Sequence, residues 1–303
     1  MSSTTDTLPA PAPPRCGLCA AHDWTPRLGA TRLRRCRACG AILNDRSASR
    51  EEEERRYDRH IETVSGTAEW DLAVRIARTQ WSWVQGLLGD AERQPNASIL
   101  DIGCGQGAFL AVAGEHGFRA AGVEIDPAAV EIAHSRKLDV FGGSIFDTGV
   151  PGGPFQLVTF WDVLEHLEEP TTALKMAVGE MAPGGLMVVR GRNADVHAPA
   201  KVAYARVRGL ASALRVPDMS CVHRWGFGPR QYRKLLQDAG LNEIRLYAGM
   251  PTPGDRTNHL GPAWLAGVVK GAVGGAARGV SALTGGALYP FPSVLITARR
   301  TAR

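Results

Sequence analysis

The sequence predicts an α/β fold, a doubly wound parallel sheet with a small metal-binding module ahead of it. Three observations carry that prediction. From Ala97 onward, short apolar runs alternate with segments of helical period, the rhythm of βαβ units. The first run, Ile99-Leu100-Asp101-Ile102, ends in the turn Gly103-Cys104-Gly105-Gln106-Gly107, where glycine permits positive φ and close backbone approach to a ligand. Upstream, Cys16-x2-Cys19 and Cys36-x2-Cys39 have metal-ligand spacing.

Composition narrows the class. The chain has 303 residues, 44% hydrophobic and 21% charged, enough for one large domain or two smaller ones. There is no glycine period for a collagen, and the apolar content is too high for a disordered chain. The nearest approach to a membrane span, 279–298, carries Pro290 and Pro292. Residues 1–14 lack the basic and apolar regions of a secretory signal, so the expected location is cytoplasmic. The net charge of +5 is uneven. Residues 96–190 hold five basic and twelve acidic groups, whereas 201–260 hold ten basic and four acidic. Basic flanks suit an anionic partner and equally suit a solvated arginine-rich surface.

The elements follow in order. Residues 1–14 read as a disordered tail, and 15–45 as the cysteine module. Residues 46–95 read as a helical linker or cap, with a charged helix at 47–60. A longer helix at 69–90 spaces Trp70, Val74, Ala77, Trp81, Val84 and Leu88 on one face. Strands are expected at 97–102, 119–124, 138–141, 156–161, 186–189, 243–247 and 293–299. Helices are expected at 108–116, 127–136, 171–181 and 229–239. Pro127 suits a first helical position and Gly240 a helix end. Insertions at about 192–228 and 250–292 interrupt the domain spanning 96–303.

The glycine turn is preceded by Asp101 rather than by a bare strand. An acid there argues against a pyrophosphate and for a cationic ligand group. Glu124 ends the next strand, where a carboxylate can accept from both hydroxyls of a ribose.

Four segments, Leu-Asp-Ile-Gly-Cys-Gly-Gln-Gly (100–107), Gly-Val-Glu-Ile-Asp-Pro (122–127), Asp-Val-Leu-Glu-His-Leu-Glu-Glu-Pro (162–170) and Pro-Gly-Gly-Leu (183–186), resemble the class I S-adenosylmethionine-dependent methyltransferases. The resemblance covers about 97–300. It is closer to a subgroup with an N-terminal zinc ribbon, whose members often methylate sugars or small molecules in polysaccharide or natural-product biosynthesis. It implies a Rossmann-like, seven-stranded sheet with an antiparallel last strand. It implies that Asp101, Gly103, Gly105 and Gly107 hold the methionine part of S-adenosylmethionine and Glu124 the ribose. Ile125 would lie against adenine, Ser144 and Ile145 at its amino edge, and Trp161 and Asp162 beside the sulfonium. Ser144 departs from the usual acid, and Asp147 is the substitute at hand. Gln156 departs from the usual Asp, and Arg190-Gly191-Arg192-Asn193 from the usual ending of the fifth strand.

The cofactor carries an activated methyl group, so the protein must position the acceptor. A hydroxyl acceptor also needs a base, and His166 and His223 are the candidates. Either can instead be structural, and as a pair they are a weak metal signal. Cys16, Cys19, Cys36 and Cys39 suit structural zinc. Cys104 reads as a small apolar filler. Arginines at 190, 192, 206, 208, 215 and 224 could meet an anionic acceptor. The apolar stripe of 262–288 suits either core packing or peripheral membrane contact. The favoured reading is a small-molecule, sugar or nucleotide-sugar O-methyltransferase, with nucleic acid not expected as a partner. The rivals are an RNA methyltransferase gripping RNA through the ribbon, and a non-catalytic scaffold.

Overall fold

The computed structural model describes residues 13–45, 67–90, 92–94, 97–147, 150–213, 222–249 and 289–302, with isolated positions 275, 279 and 283. The tail at 1–12, the charged helix at 47–60, Arg215, Cys221 and all of the 264–283 stripe except Leu283 lie outside those residues.

Two sheets organise the chain. The small one joins β1 (Leu33–Arg35), β2 (Ile42–Asn44) and β8 (Trp225–Gly226) in that order. The large one contains β3 (Ser98–Ile102), β4 (Arg119–Glu124), β5 (Asp139–Gly142), β6 (Phe155–Trp161), β7 (Met181–Arg192), β9 (Leu241–Ala248) and β10 (Ser293–Arg300). Its order is β5-β4-β3-β6-β7-β10-β9. The neighbours from β5 to β7 run parallel, and β10 is antiparallel to both β7 and β9. This is the seven-stranded, doubly wound sheet with an antiparallel last strand.

The central strands are apolar throughout because both faces are covered. Every residue of β3 is buried, and the side chains alternate between two layers. Ile99, Leu157, Val188 and Leu295 pack with Trp81 and Val84 of α1 (Thr67–Gln85) and Phe109 of α2 (Ala108–Glu115). Leu100, Val158, Val189 and Ile296 pack on the other face with Leu174 of α4 (Pro170–Glu180) and Leu235 of α7 (Pro229–Asp238). Each fully buried aliphatic side chain contributes about 1.5–3 kcal/mol. Trp81 also stacks on His116 at 4.9 Å and meets the edge of Phe118 at 5.1 Å, which ties α1 to the α2–β4 corner.

Local chemistry sets the helix starts. Asp126 caps α3 (Pro127–Ser135) by accepting from the N–H groups of Ala128 and Ala129, and Pro127 occupies the first turn. β7 is longer than the four residues its apolar core suggests. Its pairing with β6 shifts register between Phe155 and Leu157, so Pro183-Gly184-Gly185 is absorbed as an irregularity rather than ending the strand. Gln156, the departure from the usual Asp, accepts from both the N–H and the hydroxyl of Ser98 at 2.7 Å. The first insertion is ordered into α5 (Ala194–Arg206), α6 (Arg208–Ala213) and β8. No helix among the described residues is long and apolar enough to cross a membrane.

Candidate active site

The site lies at the carboxyl ends of β3, β4, β6 and β7. Gly103, Gly105 and Gly107 all have positive φ (71°, 54° and 81°). Their surroundings differ. A Cβ on Gly103 would meet Val163 at 2.6 Å, and one on Gly107 would meet Leu138 at 2.6 Å. Nothing lies within 4 Å of the corresponding point at Gly105. Two glycines therefore permit packing, and the middle one leaves backbone beside open space, where a ligand could approach.

Two carboxylates back this turn. Glu124 is buried and accepts from Gly105 N–H at 2.8 Å and Asp126 N–H at 2.9 Å. Asp101 is buried and accepts from the Thr159 hydroxyl at 2.6 Å. Burial pushes Asp101 up to about 7, and the charge of Glu124 adds to the shift against the Thr159 hydrogen bond. A cation placed over this pair would be stabilised, and Asp101 would ionise. The residues thus fit a ligand with a positive sulfonium and ammonium and a ribose to share Glu124.

The expected adenine contacts separate. Ile125 is 63% exposed although apolar, and Ile145 is buried in the core. Asp147 accepts from Ser144 N–H at 2.9 Å, so its carboxylate closes the local turn. Cys104 is buried among Leu110, Val130, Ala133 and Val140, as a filler would be. Trp161 packs on Phe109 at 5.2 Å and Trp83 at 6.4 Å. Its neighbour Asp162 adopts φ 58° and is ion-paired with Arg190. Arg190 is buried in that pair, so it is an internal partner rather than a surface cation.

The loop after β6 and the segment before β8 bring His166 and His223 together, with ring centroids 3.9 Å apart. His166 is exposed on its loop, and the partial desolvation of its ring beside His223 shifts it below the ordinary imidazole value, with Asp162 opposing and Arg192 assisting. His223 is pushed down to about 3 by desolvation, then by His166, Arg192 and His197. Both rings are therefore neutral near pH 7. Next to His166 in the chain, Glu165 is 1% exposed and accepts from Arg192 N–H at 3.3 Å. Its Oε2 has no hydrogen-bond partner among the described residues. Burial and the charge of Asp162 push it up to about 8. Tyr232 donates to the Arg192 carbonyl at 3.4 Å.

Glu165, His197 and Tyr232 were not singled out from sequence. Glu165 stands in the quoted 162–170 segment, and its burial was the missing information. His197 and Tyr232 reach the site through the tertiary fold and leave no local signal.

The four cysteines of the small module lie with their sulfurs all within 4.8 Å of one another. Cys16 and Cys39 are 3.5 Å apart and Cys19 and Cys36 3.6 Å. A tetrahedral zinc with bonds of about 2.3 Å needs sulfurs about 3.8 Å apart. The two turns are alike. Cys16 N–H donates to Ala21, and Cys36 N–H to Ala41. Ala20 and Gly40 take the same left-handed conformation. The set fits structural zinc.

The fold and site match a known family. The profile of the methyltransferase domain matches residues 75–246, more than half of the chain. The chain belongs to the methyltransferase-domain family. The matched domain is a methyltransferase domain, and its cofactor turn and carboxylates fit S-adenosylmethionine. The methyltransferase is similar to the ubiquinone biosynthesis O-methyltransferase of Xanthomonas axonopodis pv. citri, 26% identical over 152 residues, 48% of this chain and 62% of that protein. It is also similar to the mitochondrial protein of that name from Schizosaccharomyces pombe, 27% identical over 140 residues, 38% of this chain and 51% of that protein. The chain thus matches between half and two thirds of these relatives' length. A solved Listeria monocytogenes structure, assigned as an S-adenosylmethionine-dependent methyltransferase, shares the methyltransferase's fold. It has TM-score 0.51 and 15% identity, covering 74% of this chain and 98% of that one.

Proposed function

We propose that the chain methylates a hydroxyl oxygen of a small-molecule acceptor, with His166 as the base. The observation that carries this reading is the neutral His166–His223 pair at 3.9 Å, on the loop whose Val163 packs against Gly103 of the cofactor turn. Relatives named as ubiquinone biosynthesis O-methyltransferases support a small-molecule hydroxyl acceptor. The finer acceptor class we propose is a sugar or nucleotide sugar.

S-adenosylmethionine would supply an activated methyl group on its sulfonium. Asp101 and the Gly103–Gly107 turn would hold its cationic end, Glu124 its ribose, and Ile125 its base. Trp161 and Asp162 would border the sulfonium, and Ser144 the adenine edge, with Ile145 packed behind it in the core. His166 takes the acceptor's hydroxyl proton, and Asp162 stabilises the imidazolium that results. His223, held far below the ordinary value, stays neutral and orients its partner. The cysteine module at 15–45 would hold zinc through Cys16, Cys19, Cys36 and Cys39. A reducing, cytoplasmic setting suits thiolate ligands of this spacing.

The test is transfer of labelled methyl from S-adenosylmethionine into a cell extract fractionated by acceptor class. Label in the sugar or nucleotide-sugar fraction supports the proposal, whereas label in a phenolic fraction supports small-molecule O-methylation and overturns the sugar acceptor. Label confined to RNA overturns both.

A further inference from the structure

The segment carrying His223 is held from two sides. On one side stands Asn44, the last residue of β2. Its side-chain amide donates to the Val222 carbonyl at 2.8 Å. Its backbone N–H donates to the Arg224 carbonyl at 3.0 Å. His223 lies between those two anchored residues, so a single ribbon residue brackets it. Asn44 is 5% exposed, and the Val222 side chain packs against Leu33 of β1 and Ile42 of β2.

On the other side stands the loop of His166. Trp225 donates its backbone N–H to the Glu165 carbonyl and its indole N–H to the Leu167 carbonyl, both at 2.9 Å. Those carbonyls flank His166. The Trp225 ring stacks on Trp24 of the ribbon at 6.2 Å. A Cβ on Gly17, inside the first cysteine turn, would come within 2.9 Å of the same ring. The cysteine centre, β2, the His223 segment and the His166 loop therefore form one continuous hydrogen-bonded and packed path.

We propose that Asn44 is a positioning residue through which the four-cysteine ribbon fixes His223 against His166. The inference rests on the reading of the histidine pair as the proton acceptor. Backbone pairing of β2 with β8 covers Ile42–Gly226 and Leu43–Trp225, which ends two residues short of His223. The Asn44 amide extends the hold to Val222, beyond the histidine. Arg192 and His197 add unfavourable positive charge around the part-buried His223, and water is the easier environment for a loosened imidazole. Functional groups hold their geometry only when their supports are themselves fixed.

The test uses the full chain with Asn44→Ala and Asn44→Asp. The aspartate keeps the size but sets an oxygen against the Val222 carbonyl. Zinc content, S-adenosylhomocysteine affinity, kcat and the NMR titration of both imidazoles are measured. Zinc should stay equimolar and cofactor affinity within about twofold, because those sites share no contact with the amide. The resonances of His223 and His166 should shift in both variants, with His223 titrating nearer the ordinary imidazole value. kcat should fall about 10–100-fold with KM for S-adenosylmethionine unchanged. Chelation of zinc from the wild-type protein should produce the same imidazole shifts without any substitution. Imidazole resonances unchanged in the variants and after chelation would overturn the proposal. Shifted resonances with undiminished kcat would support the positioning role and overturn the reading of the pair as the base.

Discussion

His166 and His223 face each other with ring centroids 3.9 Å apart, although one follows β6 and the other closes the first insertion. Both are held below the ordinary imidazole value. Two cationic rings at this distance would repel, so the pair takes its first proton below the ordinary imidazole value and a second only at still lower pH.

The first expectation concerns the base. His166→Ala should lower kcat by about 10²–10⁴-fold, with S-adenosylhomocysteine affinity retained. Because the pKa of His166 is lowered, the wild-type kcat should reach its plateau below the ordinary imidazole range and fall only at more acidic pH. Unchanged turnover in the variant, at any pH between 6 and 8, roughly the range where imidazole changes charge, would remove His166 from the mechanism.

Asp101 sets a second dependence with the opposite consequence for protein and ligand. Its native pKa is raised to about 7, so its contribution to stability is full below the ordinary carboxyl value of about 3.9. It is lost as pH rises through about 7. A cationic cofactor prefers the ionised form. Affinity for S-adenosylmethionine should therefore rise with pH through about 7, and Asp101→Asn should flatten that profile. Asp101→Asn should also raise the Tm of the cofactor-free protein above pH 7. Calorimetry with and without cofactor reads both effects, and a pH-independent wild-type affinity would refute the assignment.

The three turn glycines should behave differently. Gly103→Ala and Gly107→Ala add strain and a clash at 2.6 Å, and should cost more than about 2 kcal/mol of stability. Gly105→Ala meets only open space and should cost about 1–2 kcal/mol, the left-handed penalty alone. Cofactor binding should nevertheless suffer at Gly105, because the added methyl enters the space a ligand needs. Thermal melts and cofactor titration of the three variants separate the two effects.

Zinc removal should act at a distance from the cofactor turn. The Trp24–Trp225 stack bridges the ribbon and β8, so chelation should change tryptophan fluorescence while S-adenosylhomocysteine still binds. Cys36→Ser with Cys39→Ser should reproduce the change and abolish stoichiometric zinc.

Much of the fold was legible because its signals are local. The apolar run at β3, the capped start of α3 and the Cys-x2-Cys turns are written in adjacent residues. The glycine turn and its two carboxylates are legible for the same reason. Other features depend on contacts far apart in sequence. Arg190 looked like a cation available to an acceptor, but Asp162 takes it into a buried pair. Asp147 looked available to adenine, yet the Ser144 backbone claims it. β8 is two residues long and carries no periodicity, so its pairing with β2 could not be read. Glu165 required burial to be noticed, since its charge alone resembles that of its exposed neighbours Glu168 and Glu169.

The three-stranded order β1-β2-β8 also has a bearing on synthesis. The β1–β2 hairpin is made before β8, the strand that completes its sheet. A ribosome adding about 5–20 residues per second leaves the hairpin waiting roughly ten to forty seconds for Trp225 and Gly226. A two-stranded hairpin is marginal in water, so over that interval the four thiolates and their metal are what would keep the nascent ribbon in shape. Arrival of β8 then completes the small sheet and, in the same event, carries His223 to its place beside His166.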